Sequence, residues 1–144
     1  MDKVYVEATY KSLNKLNEEL CGDRVEIVKN DDSYFVVLSD GLGSGVKANI
    51  LSTLTSKIIS TMMFQGASIE DTVETIVHTL PVCSVRKVAY STFMILQISY
   101  DGNAYLVEFD SPGCIFVRDG RLMNIEYNQR SIAGKEIKEA HFKV

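Results

Sequence analysis

The stretch Tyr34-Phe35-Val36-Val37-Leu38-Ser39-Asp40-Gly41-Leu42-Gly43-Ser44-Gly45 changes character twice. From Tyr34 to Leu38 every position is apolar, the pattern of a strand covered on both faces. At Asp40 a carboxylate closes that run, and glycines follow at positions 41, 43 and 45. Beyond them the hydrophobic period shifts from two to 3.6. Val46, Ile50, Leu54, Ile58 and Met62 recur every four residues, with Leu51, Ile59 and Met63 beside them. This predicts an amphipathic helix stopped by Gly66, with that stripe and Phe64 turned to the core.

On the N-terminal side, Val4 to Tyr10 alternates as a strand would. Arg24 to Lys29 reads as another, with Val25 and Ile27 on one face. Asn30-Asp31-Asp32-Ser33 is a cluster of turn formers. If these four residues are a hairpin loop, Lys29 pairs with Tyr34, and counting back along both strands sets Asp23 opposite Asp40. On the C-terminal side, Ser68 suits an N-cap, with Glu70 and Asp71 where the helix dipole favours them. Ile69, Val73, Ile76, Val77 and Leu80 place this second helix on the core, and Pro81 ends it.

The remainder reads as β. Thr92 to Tyr100, Ala104 to Phe109, Cys114 to Arg118 and Arg121 to Tyr127 are joined by Asp101-Gly102, Ser111-Pro112-Gly113 and Asp119-Gly120. That is the signature of an antiparallel meander. A last alternating stretch sets Ala140, Phe142 and Val144 on one face and Glu139, His141 and Lys143 on the other. The order of strands, two helices, then strands predicts an α+β domain. Two helices pack on antiparallel β-sheets, arranged as one sheet or a β-sandwich. The terminal pattern runs to Val144 without closing, so residues 1–144 are expected to form a single, partial domain, truncated at its C-terminal side.

Composition narrows the function classes. The 144 residues are 46% hydrophobic and 24% charged, ordinary globular values that argue against disorder. Lys and Arg number 15 against 19 Asp and Glu, a net charge of −4, and no basic stripe occurs, so nucleic acid is not an expected partner. The longest uncharged run, Val88 to Tyr100, is short of the ~20 residues a membrane helix needs. Met1-Asp2-Lys3-Val4 does not lead from basic residues into an apolar run, so a cytoplasmic location is expected. Cys21, Cys83 and Cys114 are odd in number and widely spaced, which suits free thiols rather than a disulfide framework.

Chemistry concentrates at Asp40. Two roles suit a carboxylate there: a cap on the following loop, or a cation ligand. The register favours the second, because directly opposed carboxylates have Cβ atoms ~4.5–5.5 Å apart and repel unless a proton or cation lies between them. Oxygen-only ligands match hard ions such as Mg²⁺ or Mn²⁺. Gly41-Leu42-Gly43-Ser44-Gly45 is neither the dinucleotide fingerprint nor a P-loop, although a phosphate at the helix N-terminus is a third reading.

Ser39-Asp40-Gly41-Leu42-Gly43-Ser44-Gly45 with the upstream Cys21-Gly22-Asp23 resembles the metal-dependent protein phosphatases of the protein phosphatase 2C superfamily, in the branch typified by stage II sporulation protein E. Ser91-Thr92-Phe93, Ser111-Pro112-Gly113 and Ser131-Ile132-Ala133-Gly134 fall where that family has similar segments, so the resemblance spans the chain. It implies hydrolysis of phosphoserine or phosphothreonine in a phosphoprotein substrate by a water activated on two Mn²⁺ or Mg²⁺ ions. Asp23 would match the first acidic ligand, Asp40 the bridging ligand and Gly41 a backbone-carbonyl ligand. The family's further acidic ligands, in its C-terminal part, have no match here, since Asp101-Gly102 and Asp119-Gly120 read as hairpin turns. The resemblance therefore implies an N-terminal part with weak or absent metal binding and little activity alone. The alternative is a non-catalytic regulatory or interaction domain that keeps the fold.

A truncated sheet would also leave edges through which copies could pair, making a homodimer an expectation. His78 and His141 are read as partly exposed and neutral, Arg86 and Lys87 as a solvated loop, and Lys47 as surface.

Overall fold

A computed structural model describes residues 3–13, 22–41, 45–79, 92–132 and 134–144. Strands β1 (Asp23–Lys29) and β2 (Ser33–Asp40) lead into helices α1 (Gly45–Phe64) and α2 (Ile69–Thr79). Strands β3 (Thr92–Ser99), β4 (Asn103–Phe109), β5 (Val117–Arg118), β6 (Arg121–Leu122), β7 (Asn128–Ile132) and β8 (Lys135–Lys143) follow. Six of them form an antiparallel sheet in the order β1-β2-β3-β4-β8-β7, and β5-β6 is a separate two-stranded ribbon. This is the α+β architecture expected, with both helices packed on one antiparallel sheet; of a sandwiching second sheet the described residues show only the two-stranded ribbon.

The β1–β2 register is the one counted from the turn formers: Lys29 pairs with Tyr34 and Asp23 with Asp40. Asn30 fixes the loop, its Oδ1 accepting from the amides of Asp32 (2.9 Å) and Ser33 (2.8 Å). The core lies between helices and sheet. Phe35, Val37, Phe93, Ile95, Val107, Phe109 and Ile137 come from the strands, and Ile59, Met63, Ile69, Val73 and Ile76 from the helices. Helix α1 closes on Gly66, whose φ is +85°, with Ala67 N–H donating to the Met62 carbonyl at 2.9 Å and Gly66 N–H to that of Met63 at 3.1 Å. Ser68 caps α2 as expected, its Oγ accepting from Asp71 N–H at 3.1 Å. Leu80 and Pro81 lie outside the described residues.

Four expectations are corrected. First, α1 presents a different face to the sheet. Ala48, Ser52, Thr55, Ser56 and Ser60 are buried with Ile59 and Met63, whereas Val46, Ile50 and Leu54 are 62%, 50% and 43% exposed, and Phe64 is also exposed. The cause is close approach. A side chain on Gly41 would place its Cβ 1.9 Å from the Ala48 carbonyl oxygen, and Ser39 Oγ donates to the Ser52 carbonyl at 2.8 Å. Only small residues fit at that separation. Their hydroxyls are satisfied within the helix, Thr55 bonding to the Leu51 carbonyl at 2.8 Å and Ser56 to that of Thr53 at 3.1 Å.

Second, Val4 to Tyr10 is not a strand. Val4 N–H bonds to the Tyr100 carbonyl at 2.9 Å, but Tyr5 and Tyr10 are exposed and the segment joins no sheet. Third, the meander stops at β4. Asp101-Gly102 and Asp119-Gly120 are turns, with φ of +99° at Gly102 and +52° at Asp119. The strands around Asp119-Gly120 shrink to two residues each. Ile115, Val117 and Leu122 remain exposed, so that segment has no core face; Phe116 meets Phe142 edge-on with ring centroids 5.0 Å apart, and the Arg118 guanidinium donates to the Lys143 carbonyl. Fourth, the neighbour of β4 is the terminal β8, whose Ile137 and Ala140 are buried, and the polar β7 completes the sheet beyond it.

Candidate functional site: a sheet-end carboxylate pair

The site grows out of the β1–β2 hairpin. Asp23 and Asp40 are direct cross-strand partners, both exposed, and the next pair outward is joined by a 2.8 Å bond from Gly41 N–H to the Gly22 carbonyl. Opposed partners have Cβ atoms ~4.5–5.5 Å apart. On the other side Asp40 pairs with the buried Thr92 of β3, so a row Asp23–Asp40–Thr92 crosses one end of the sheet. Gly41 is buried beneath the first turns of α1, and its contact with Ala48 explains why no other residue follows Asp40. All three residues singled out from the sequence, Asp23, Asp40 and Gly41, are thus brought together.

Two opposed carboxylates fit one side of a site for a hard divalent cation. Among the described residues, no set of three or more His, Cys, Asp or Glu side chains is placed to hold a metal ion. Leu42, Gly43 and Ser44 of the glycine loop, Ser91, and the basic pair Arg86-Lys87 lie outside the described residues, as do Cys21 and Cys83. Cys114 is a free, half-buried thiol, pushed up to about 12 by burial and then by Glu108, and so is not a nucleophile at neutral pH. His78 is exposed on α2, and His141 stacks on Tyr105 with ring centroids 4.4 Å apart.

Sequence reasoning missed other acidic groups at the same end of the sheet. Phe93 pairs with Phe109, so Asp110 follows the last paired residue of β4 at the end where Thr92 meets Asp40. Glu136 enters β8 there too, paired with Ser131. The signal was available: the counting that placed Asp23, applied around the Asp101-Gly102 turn, brings Asp110 to this end.

The antiparallel sheet with its two helices has the fold of PP2C-type phosphatase domains. The PP2C phosphatase domain of SpoIIE from Bacillus subtilis, solved with a fragment of its regulatory domain, superposes with a TM-score of 0.69 at 19% identity, over 85% of this chain and 38% of that one. The RsbU and RsbW domains of Rv1364c from Mycobacterium tuberculosis give 0.72 at 13% identity, over 92% and 38%. RsbX in complex with magnesium gives 0.51 at 19%, over 88% and 54%. The chain thus spans well under two thirds of each of these structures. No curated protein sequence matches it. The chain belongs to the stage II sporulation protein E (SpoIIE) family, whose model matches residues 30–133. Asp40 and Gly41 fall inside that span, whereas Asp23 precedes it and is placed by the register.

Proposed function

We propose that this chain is the N-terminal part of a metal-dependent protein serine/threonine phosphatase, supplying one side of the metal site and inactive alone. The observation that carries the reading is the Asp23–Asp40 pair at the start of the glycine loop, in a chain of the SpoIIE family. Asp23 and Asp40 would hold Mn²⁺ or Mg²⁺, with Gly41 beside them. When bound, the ions supply Lewis acidity toward the phosphoryl oxygens and an activated water. The chain's own contribution is to fix the two carboxylates by a paired hairpin, to hold Thr92 next to Asp40, and to bring the start of α1 against the same strand end. The substrate on this reading is a phosphoprotein, the location cytoplasmic, and any association of copies is a weak one through the sheet edges. Among the described residues no helix is long and apolar enough to cross a membrane.

Mn²⁺ titration by calorimetry, run on the chain and on Asp40→Asn with p-nitrophenyl phosphate turnover measured on the same samples, tests this. Weak binding that Asp40→Asn abolishes, without turnover, is expected. Binding unchanged by the substitution would remove Asp40 from the site, and clear Mn²⁺-dependent turnover would show that the chain is catalytically sufficient. The alternative, a non-catalytic domain with the phosphatase fold, requires no response to Mn²⁺ in either sample.

A further inference from the structure

A cavity lies at the same end of the sheet as the Asp23–Asp40 pair. It measures about 320 Å³ and is lined by Glu108, Asp110, Ser111, Gln129, Glu136 and Lys138 among others. Three carboxylates face one ammonium, so the lining is net negative. Glu108 is 5% exposed, held by the loop that follows β4 through the Cys114 N–H, which bonds to its Oε1 at 3.2 Å. Ser111 lines the cavity, and its hydroxyl oxygen is buried without a hydrogen-bond partner among the described residues. A buried hydroxyl without a partner is costly, so this oxygen calls for a hydrogen bond from a ligand or from water. The carboxylates are not grouped to hold a metal ion. Spread acceptors around a cavity of this size match an organic cation with several donors, as a guanidinium has.

We propose that this cavity is a subsite for a basic side chain of the phosphoprotein substrate, an arginine in preference to lysine. The proposal rests on the phosphatase reading for its substrate, but its chemistry rests on the cavity. The spacing gives a rule. Asp110 lies two strands from Asp40 across the sheet end, about 10 Å at ~4.8 Å per strand. An extended peptide advances ~3.3–3.6 Å per residue. The basic residue therefore sits about three positions from the phosphorylated one, on a peptide that crosses the strand ends.

The test uses phosphoserine peptides carrying Arg or Ala three positions to either side, with unphosphorylated versions of each. Affinities are measured by calorimetry for the chain and for Glu136→Gln, Asp110→Asn and Asp40→Asn. Both cavity residues substituted are exposed, and Asn tolerates the left-handed backbone at Asp110, where φ is +49°, so folding is retained. The Arg peptide on one side is expected to bind roughly tenfold more tightly than its Ala counterpart, a difference suited to a charge-assisted hydrogen bond. The advantage should shrink in Glu136→Gln and Asp110→Asn, weaken with salt, and persist in Asp40→Asn. Equal affinities for Arg and Ala peptides, or an advantage untouched by both cavity variants, would overturn the subsite. With Mn²⁺ present, an Arg advantage in peptides whose affinity does not depend on the phosphate supports the subsite while counting against the phosphatase reading, so the two failures are separable.

Discussion

At Gly41 a single hydrogen atom decides how close helix and sheet can come. Any Cβ there meets the Ala48 carbonyl at 1.9 Å, an encounter with backbone that no side-chain rotation relieves. Gly41→Ala is therefore expected to cost about 1–3 kcal/mol, read as a lowered denaturation midpoint at unchanged slope. A second residue-scale prediction concerns Arg130, which ties α2 to β8. Its Nη1 meets Glu70 Oε1 at 2.6 Å, and its Nε lies 3.1 Å from Glu139 Oε1, attracted by charge though not aligned as a hydrogen bond. The Tyr105 hydroxyl donates to the other Glu139 oxygen at 2.5 Å. Burial, and then Glu139, raise the Tyr105 ionisation well above its ordinary range, so its contribution is complete below about pH 10 and is lost as pH rises beyond it. Glu70 runs the other way. Its own backbone and Arg130 lower its ionisation from 4.5, so its contribution is present above that pH and lost as acid protonates it. Urea midpoints measured against pH should show Tyr105→Phe flattening the alkaline limb and Glu70→Gln the acid limb. At this scale the Asp23–Asp40 pair was legible because turn formers fix a hairpin register, and Asp110 could have been counted the same way around Asp101-Gly102, whereas Glu136 was not legible, because the turn after β4 was read as one more meander hairpin.

The elements show where a periodic pattern misleads. In α1 a four-residue apolar repeat and a four-residue repeat of Ala, Ser and Thr run side by side, and hydrophobicity alone selects the first. Separation from the sheet selects the second, because small residues let backbones approach and serine hydroxyls can bond back to their own helix. The contrast is testable. Ser52→Leu is expected to destabilise by about 1–3 kcal/mol through overpacking, and Ile50→Ser to change stability by no more than about 0.5 kcal/mol, both from denaturant melts. The reverse ranking would restore the apolar stripe to the core. Strand β7 was illegible for a related reason. Asn128-Gln129-Arg130-Ser131-Ile132 has no alternation to read, and it is a strand because β8 offers it partners.

Over the whole molecule, the helix face of the sheet was foreseeable and its completion was not. Two hairpins, β1–β2 and β3–β4, follow from turn chemistry, but the place of β8 between β4 and β7 depends on which segment has apolar residues to bury. The sheet ends in β1 and β7, whose residues are largely charged or polar, a composition that discourages pairing with another chain. Association through these edges should accordingly be weak. Light scattering over a concentration series measures it, and a monomer at the highest concentration would exclude edge pairing.

The seam between β2 and β3 has a kinetic meaning. Its partners are remote in sequence, Ser33 and Ser99 standing 66 residues apart with their hydroxyl oxygens 3.4 Å from each other, and both helices lie on the connection. Each hairpin can close locally, but the seam must wait for a long loop to lose its freedom, the kind of contact that slows folding. The row Asp23–Asp40–Thr92 is divided by that same boundary. Asp23 and Asp40 meet as soon as their own hairpin forms, while Thr92 joins them only when the seam zips. In a stopped-flow refolding trace followed by pulse-labelled amide exchange, the Asp23–Asp40 ladder should therefore gain protection ahead of the Asp40–Thr92 rungs, so that the two sides of one row of residues would carry different time constants.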